Sequence, residues 1–331
     1  MRHRSALLTV ISAVAALIAG YLFACYKRST INKSSSSKPI NESELAAKFI
    51  QKYGGHYRVI EANVCLENGT KCTEVRDNVL KISDGSYEFF RSVYYDRAEH
   101  TSMTLKIPDK IYEGYLDTKK WEVDKKTRVT HCYTPIMIEE MFLSGAVEMT
   151  HDAKADILLI GMGAGYLNSH LHFAYPKFNI TSVEIEPEMV RVARDWFGFV
   201  EDERQRAIVM DGAKMVEMAV EEGHKYDVVI LDACTLDLAV GVNCPVGAFL
   251  NKEMVENIYI ILKETGAVII NVISLVLDTV QAANQVTKLY IQVFDNCRAK
   301  PAPLSPPNIV VTCAKQDRPE GVVEQYDAVF R

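Results

Sequence analysis

The chain has 331 residues, 48% of them hydrophobic and 24% charged, with 17 Gly and 11 Pro; this is the composition of a protein that folds around a core, and it excludes collagen-like and disordered classes. The net charge of −6 is a composite. The first 40 residues hold Arg2, Arg4, Lys27, Arg28, Lys33 and Lys38 and no acid, so the remaining 31 bases face 43 acids and the body of the chain stands at −12. Such a body lacks the basic footprint that phosphate backbones require, which argues against nucleic acid and favours neutral or basic partners.

From Ser5 to Tyr26 there is no charged residue, and the apolar run within residues 6–26 is long enough to cross a hydrocarbon layer of about 30 Å as a helix. The apolar stretch of a cleaved signal peptide is shorter, and Leu22 and Ile18 spoil the cut sites that Ala24 and Gly20 would otherwise offer. The sequence therefore predicts an uncleaved, single-pass N-terminal anchor over 6–26. Residues 27–44 are polar and Ser-rich and read as a flexible tether. Bases flank the span on both sides, so charge does not vote on orientation. Four N-x-[ST] sequons, at Asn32, Asn41, Asn68 and Asn179, are compatible with the lumen of the endoplasmic reticulum or Golgi.

Between 45 and 125 the sequence predicts a small antiparallel β domain. Short β-rich runs (His56–Leu66, Thr70–Val75, Val79–Ile82, Tyr87–Tyr95 and Ser102–Ile107) are separated by turn signals. Asn68-Gly69 lies between Cys65 and Cys72, a hairpin signal that sets the two cysteines opposite each other, as a disulfide or as free thiols according to compartment. The other cysteines are scattered without C-x-x-C spacing, which gives no support for a metal site. A helix is predicted over Thr134–Leu143, with Pro135 in its first turn. His131 and Tyr133 just before it are candidates to border an acceptor pocket.

From 126 to 331 the pattern becomes α/β. Five apolar strand runs (ILLIG, ITSVEIE, AIVMD, YDVVILD and GAVIINVI) alternate with helices over Leu167–Tyr175, Glu188–Phe197, Ala213–Glu221, Met254–Leu262 and Thr279–Leu289. That alternation predicts a doubly wound, Rossmann-like parallel sheet covered on both faces, followed by a last strand over Asn308–Cys313. Ligands of such sheets sit at the carboxyl ends of the strands. The first run ends in Gly161-Met-Gly163-Ala-Gly165-Tyr166, where Tyr166 is too large for the small residue a dinucleotide fingerprint wants. The next runs end in Glu184 with Glu186, in Asp211-Gly212 and in Asp232. Any one of these acids reads equally as a helix cap. Together, beside a Gly-rich turn, they suit a nucleoside ligand with ribose hydroxyls, an adenine amino group and a positive centre, a description that S-adenosylmethionine meets.

The segments LLIGMGAGYL, SVEIEPEMVRVARDWFGF, VMDGAKMV, YDVVILDA and GVNCPVGAFL resemble the spermidine-synthase-like branch of class I methyltransferases. They resemble in particular the C-terminal domain of the methyltransferase-like family that acts on translation elongation factor 1 alpha. The resemblance covers roughly 130–314 and rests most on Trp196-Phe197-Gly198-Phe199 and Asn243-Cys244-Pro245. It implies that Gly161, Gly163 and Gly165 form the cofactor loop, that Glu184 is the ribose ligand and that Asp211 faces the adenine edge; Glu186 and Gly212, beside them at the strand ends, are further cofactor-binding candidates. It further implies that Asp232 is catalytic, that a protein amine (Lys or N-terminal) is the acceptor, and it allows a homodimer. Trp196 and Phe199 read as core rather than as stacking groups.

Polyamine aminopropyltransferases share this fold and its small β domain. They carry an acid in the glycine loop where this chain has Ala164, and a second acid where it has Thr235 in Asp232-Ala-Cys-Thr, with Asp237 the nearest substitute. These departures favour methyl transfer over aminopropyl transfer. The changed acids also admit a silent, membrane-tethered binding relative.

Overall fold

The computed structural model describes residues 41–331 except 67–68, 70, 83, 96–97, 109–115, 127–132, 236, 238 and 303–307. The expected anchor over 6–26, most of the tether, Asn32, Asn68, Cys25, His131 and Cys132 lie outside the described residues. Among the described residues no helix is long and apolar enough to cross a membrane. The chain divides into two compact units: residues 41–130 with 163–166 and 191–199, and residues 131–162, 167–190 and 200–331.

The first unit opens on helix α1 (Glu42–Tyr53), which sequence reading leaves unassigned. The Asn41 carboxamide oxygen accepts from the Glu44 N–H at 3.2 Å, and Gly54 closes the other end at φ 71°. Residues 42–44 thus belong to a helix and not to the tether expected through 44. Acids near the positive end of a helix resemble polar linker when read singly. Leu45, Ala46 and Phe49 form the buried face, and Phe49 meets Phe89 edge to face.

Strands β1 (Tyr57–Leu66), β2 (Lys71–Lys81), β3 (Tyr87–Tyr95) and β4 (Ala98–Thr104) make an antiparallel sheet in sequential order. Cys65 and Cys72 are register partners across β1 and β2 and are joined by a disulfide. Strand β2 is continuous where the sequence suggests two runs, because Asp77, in the apparent gap, is buried and ion-paired with Arg91 of β3. The last strand is also shifted toward the N-terminus of the run expected over Ser102–Ile107.

The second unit is the expected α/β body. It begins with α2 (Thr134–Leu143), in which every residue except Pro135 is buried. Two of them are acids, each held by bases from the C-terminal part: Glu139 by Lys300 and Arg331, and Glu140 by Arg318. Then follow in chain order β5 (Ala155–Ile160), α3 (Tyr166–Ala174), β6 (Phe178–Glu184), α4 (Pro187–Trp196), β7 (Gln205–Val209), α5 (Gly212–Glu222) and β8 (Tyr226–Leu231), with Tyr166 and residues 191–196 of α4 counted in the first unit. The chain closes with α6 (Lys252–Ile261), β9 (Leu262–Val272), α7 (Thr279–Tyr290), β10 (Asn296–Pro301), β11 (Ile309–Ala314) and α8 (Val322–Phe330). The sheet order is β10-β11-β9-β8-β5-β6-β7.

Five strands, from β9 to β7, run parallel, and β10 and β11 extend the sheet antiparallel. The sheet is therefore mixed rather than parallel throughout. Edge strand β10 (NCRAKP) carries no apolar run, which hides it from a hydrophobic pattern. Cys297 and Cys313 are register partners on β10 and β11 and form a second disulfide. Because β6 and β7 lie on one side of β5 and β8 and β9 on the other, the strand order reverses between β5 and β8, the switch point at whose carboxyl ends ligands of such sheets bind.

Candidate functional site

Backbone hydrogen bonds align the strand ends that the sequence singles out. Asp232 N–H donates to Ile160 O at 2.8 Å, Gly161 N–H to Val183 O at 2.9 Å, and Met210 N–H to Glu184 O at 3.0 Å. The ends of β8, β5, β6 and β7 therefore stand side by side, with Asp232 and Gly161 flanking the switch point.

Gly161, Gly163 and Gly165 all adopt positive φ, at 88°, 53° and 82°. Gly161 is fixed on two counts: besides its dihedral, a Cβ there would sit 2.6 Å from the Asp232 carbonyl group and from Ala233 N. A left-handed conformation costs a non-glycine residue about 1–2 kcal/mol. Gly161→Ala should therefore weaken nucleoside binding at least about tenfold, read by calorimetry; unchanged affinity would remove this turn from the site. Gly212 has a packing role, since a side chain there would collide with Ile160.

The acids divide by environment. Glu184 is buried and accepts from the Glu186 N–H at 3.1 Å. Glu186, half-buried, supplies the carbonyl that opens α4. Asp211 is exposed and caps α5 by accepting from Ala213 N–H at 2.8 Å, which is the cap reading of that acid. Asp232 caps nothing. Its Oδ1 accepts from Asn271 Nδ2 at 2.8 Å and its Oδ2 from the Tyr133 hydroxyl at 3.1 Å. Asn271 in turn accepts from Asn308 Nδ2 at 2.8 Å, and both asparagines are buried. Burial pushes the Asp232 carboxyl up to about 7, and the bonds from Asn271 and Tyr133 oppose that rise by favouring the ionised form.

Tyr133, just before α2, is thus brought into hydrogen-bond contact with Asp232. Asn271 and Asn308 were not foreseen, although a polar residue inside an apolar strand run is itself a signal, because buried amides must find partners. Asp237, the nearest substitute for the missing second acid, is exposed, and its carboxylate accepts from Ala239 N–H. Trp196 keeps its structural role by donating to Glu61, and Phe197 and Phe199 are buried.

The loop after β8 is pinned from two directions. Cys234 and Cys244 form a third disulfide. Buried Asn243 donates to the carbonyls of Thr235 and Asp237 and accepts from Leu275 N–H. The Asn-Cys-Pro signature is therefore a clasp that holds the loop leaving Asp232 against the segment after β9.

Residues 136–318 match the spermine/spermidine synthase domain. The chain belongs to that family. The eEF1A lysine and N-terminal methyltransferase of Xenopus laevis is 31% identical to it over 153 residues, 44% of this chain and 22% of that protein. The chain thus spans under a quarter of that relative's length. Human methyltransferase-like protein 13, whose structure was solved with SAH, superposes with a TM-score of 0.53 at 25% identity, covering 60% of this chain and 90% of that one. A spermidine synthase with a transition-state analogue aligns over 82% of this chain and 76% of its own, at a TM-score of 0.51 and 16% identity, a likeness of fold. The architecture is the Rossmann-like methyltransferase fold with an N-terminal antiparallel sheet.

Proposed function

We propose that this family member is a class I, S-adenosylmethionine-dependent methyltransferase that methylates an amine of a protein, and that residues 6–26 tether it to a membrane. The observation that carries the choice over aminopropyl transfer is the pair of missing acids: Ala164 is buried within the glycine loop, and Asp237, the nearest substitute for the second acid, is exposed and accepts from Ala239 N–H. A loop acid would attract the free amine of a decarboxylated cofactor and repel an intact methionine carboxylate.

The residues present suit the nucleoside. Gly161, Gly163 and Gly165 would let the backbone approach it, buried Glu184 would take the ribose hydroxyls, and Asp211 would border the adenine edge. The cofactor supplies an activated methyl group, so the protein has mainly to align the acceptor. Asp232 holds the amine through its carboxylate and accepts its proton, because an ammonium has no lone pair with which to attack. Tyr133 and Asn271 fix both carboxylate oxygens for that task.

A soluble segment beginning near Ile40, assayed with both cofactor forms, should bind S-adenosylmethionine in preference to its decarboxylated form. A clear preference for the latter would establish the aminopropyltransferase alternative, and binding of neither would establish a silent relative.

A further inference from the structure

All cysteines among the described residues are paired: Cys65 with Cys72, Cys234 with Cys244, and Cys297 with Cys313. They lie in three unrelated places, a hairpin of the small sheet, the clasp beyond Asp232 and the antiparallel edge of the large sheet. Three such bonds persist in oxidising compartments and are rare where glutathione keeps thiols reduced. Two sequons that fall on described residues separate sharply by geometry. Asn41 and Ser43 are both exposed, and the cap of α1 uses only the Oδ1 of Asn41. A sugar on Nδ2 leaves that carbonyl oxygen, and hence the cap, intact. Asn179 spends its Nδ2 on Asp156 Oδ1 at 3.0 Å, inside a cluster in which Lys263 bridges Asp156 and Asp227 at 2.7 Å each. A glycan there would pull the amide out of the cluster, and the hydroxyl residue of that sequon, Thr181, is buried.

We propose that the chain matures in an oxidising, glycosylating compartment and that Asn41 carries an N-linked oligosaccharide while Asn179 does not. The donor class is a lipid-diphosphate-linked oligosaccharide. Its C1–O bond to phosphate breaks, a C1–Nδ2 bond forms, Nδ2 gives up one proton and the lipid diphosphate departs. On the function proposed above, the acceptor amine then belongs to a protein of the same compartment, and the cofactor has to be delivered there by a membrane transport step.

The full chain expressed in eukaryotic cells tests this by peptide mapping. Amidase treatment in ¹⁸O water should convert Asn41 to labelled Asp, the conversion should be lost in Ser43→Ala, which retains the Asn41 cap, and Asn179 should stay unconverted. Alkylation of the denatured, unreduced protein should leave Cys234, Cys244, Cys297 and Cys313 unlabelled. Bare Asn41, a modified Asn179, or label on any of those four cysteines would each overturn the proposal. Neither readout depends on turnover, so failure here leaves the methyl-transfer reading standing, and failure of that reading leaves this one.

Discussion

Asp232→Asn is expected to lower turnover by about 10²–10⁴-fold, the range that a positioned general base contributes, while cofactor affinity stays near that of the wild type. The amide keeps the shape of the carboxylate and its bonding: its oxygen still accepts from Asn271, and its NH₂ can donate to Tyr133, whose hydroxyl then turns acceptor. What disappears is the charge that holds an ammonium and the lone pair that takes its proton. Because burial raises this carboxyl from 3.8 to about 7, wild-type turnover should climb with pH through a midpoint near 7 as the base ionises. The same shift makes a stability statement of known sign. The folded state holds this proton more tightly than the unfolded chain, so the Asp232 contribution to stability declines as pH rises from 3.8 to about 7. Asp232→Asn should accordingly be relatively more stable than the wild type at pH 8 than at pH 4. Single-turnover rates, calorimetric binding and thermal unfolding at both pH values measure all of this. A variant that loses cofactor binding as steeply as turnover would take Asp232 out of the role of base.

The strand ends are legible because each follows an apolar run whose length and β-branched content mark a buried parallel strand, so the sequence alone puts Gly161, Glu184, Asp211 and Asp232 in one row. Their division of labour was not legible. Asp211 and Asp232 occupy equivalent positions in sequence, yet one has a following backbone N–H in reach and becomes a cap, while the other points at Tyr133 and Asn271, 99 and 39 residues away. The cysteine pairs show the same limit. Cys65 and Cys72 are joined across a turn that the sequence announces. Cys297 and Cys313 are joined only because β10 adds to β11 in one particular register, after a Pro-rich connection that no periodicity describes. Helix α8 escaped notice for a related reason: its short pattern gains meaning from what it covers, where Tyr326 and Phe330 pack on Phe142 of α2.

Asp77→Ala is expected to destabilise the protein by about 3–5 kcal/mol, the cost of leaving a buried partner charge uncompensated. The sequence hid this site by making Arg76-Asp77-Asn78 look like a break between strands. In the fold, Asp77 is fully buried at the centre of β2, and its side chain faces an equally buried Arg91. Arg91 donates from Nε to Asp77 Oδ1 at 2.7 Å and from Nη2 to Oδ2 at 3.2 Å. It also donates from Nη1 to Trp196 O and from Nη2 to Thr118 O, both at 2.8 Å, and lies over the Trp196 ring. Those carbonyls satisfy hydrogen bonds but carry no countercharge, so removing the carboxylate strands a guanidinium that cannot shed its proton. Replacing both partners should cost much less, since the penalty belongs to the unpaired charge and not to the absence of a salt bridge; Asp77→Leu with Arg91→Met tests that directly. Urea unfolding of the two variants beside the wild type provides the comparison. A loss below about 1 kcal/mol in Asp77→Ala would mean that water reaches Arg91, and that the continuity of β2 rests on its ladder rather than on this pair.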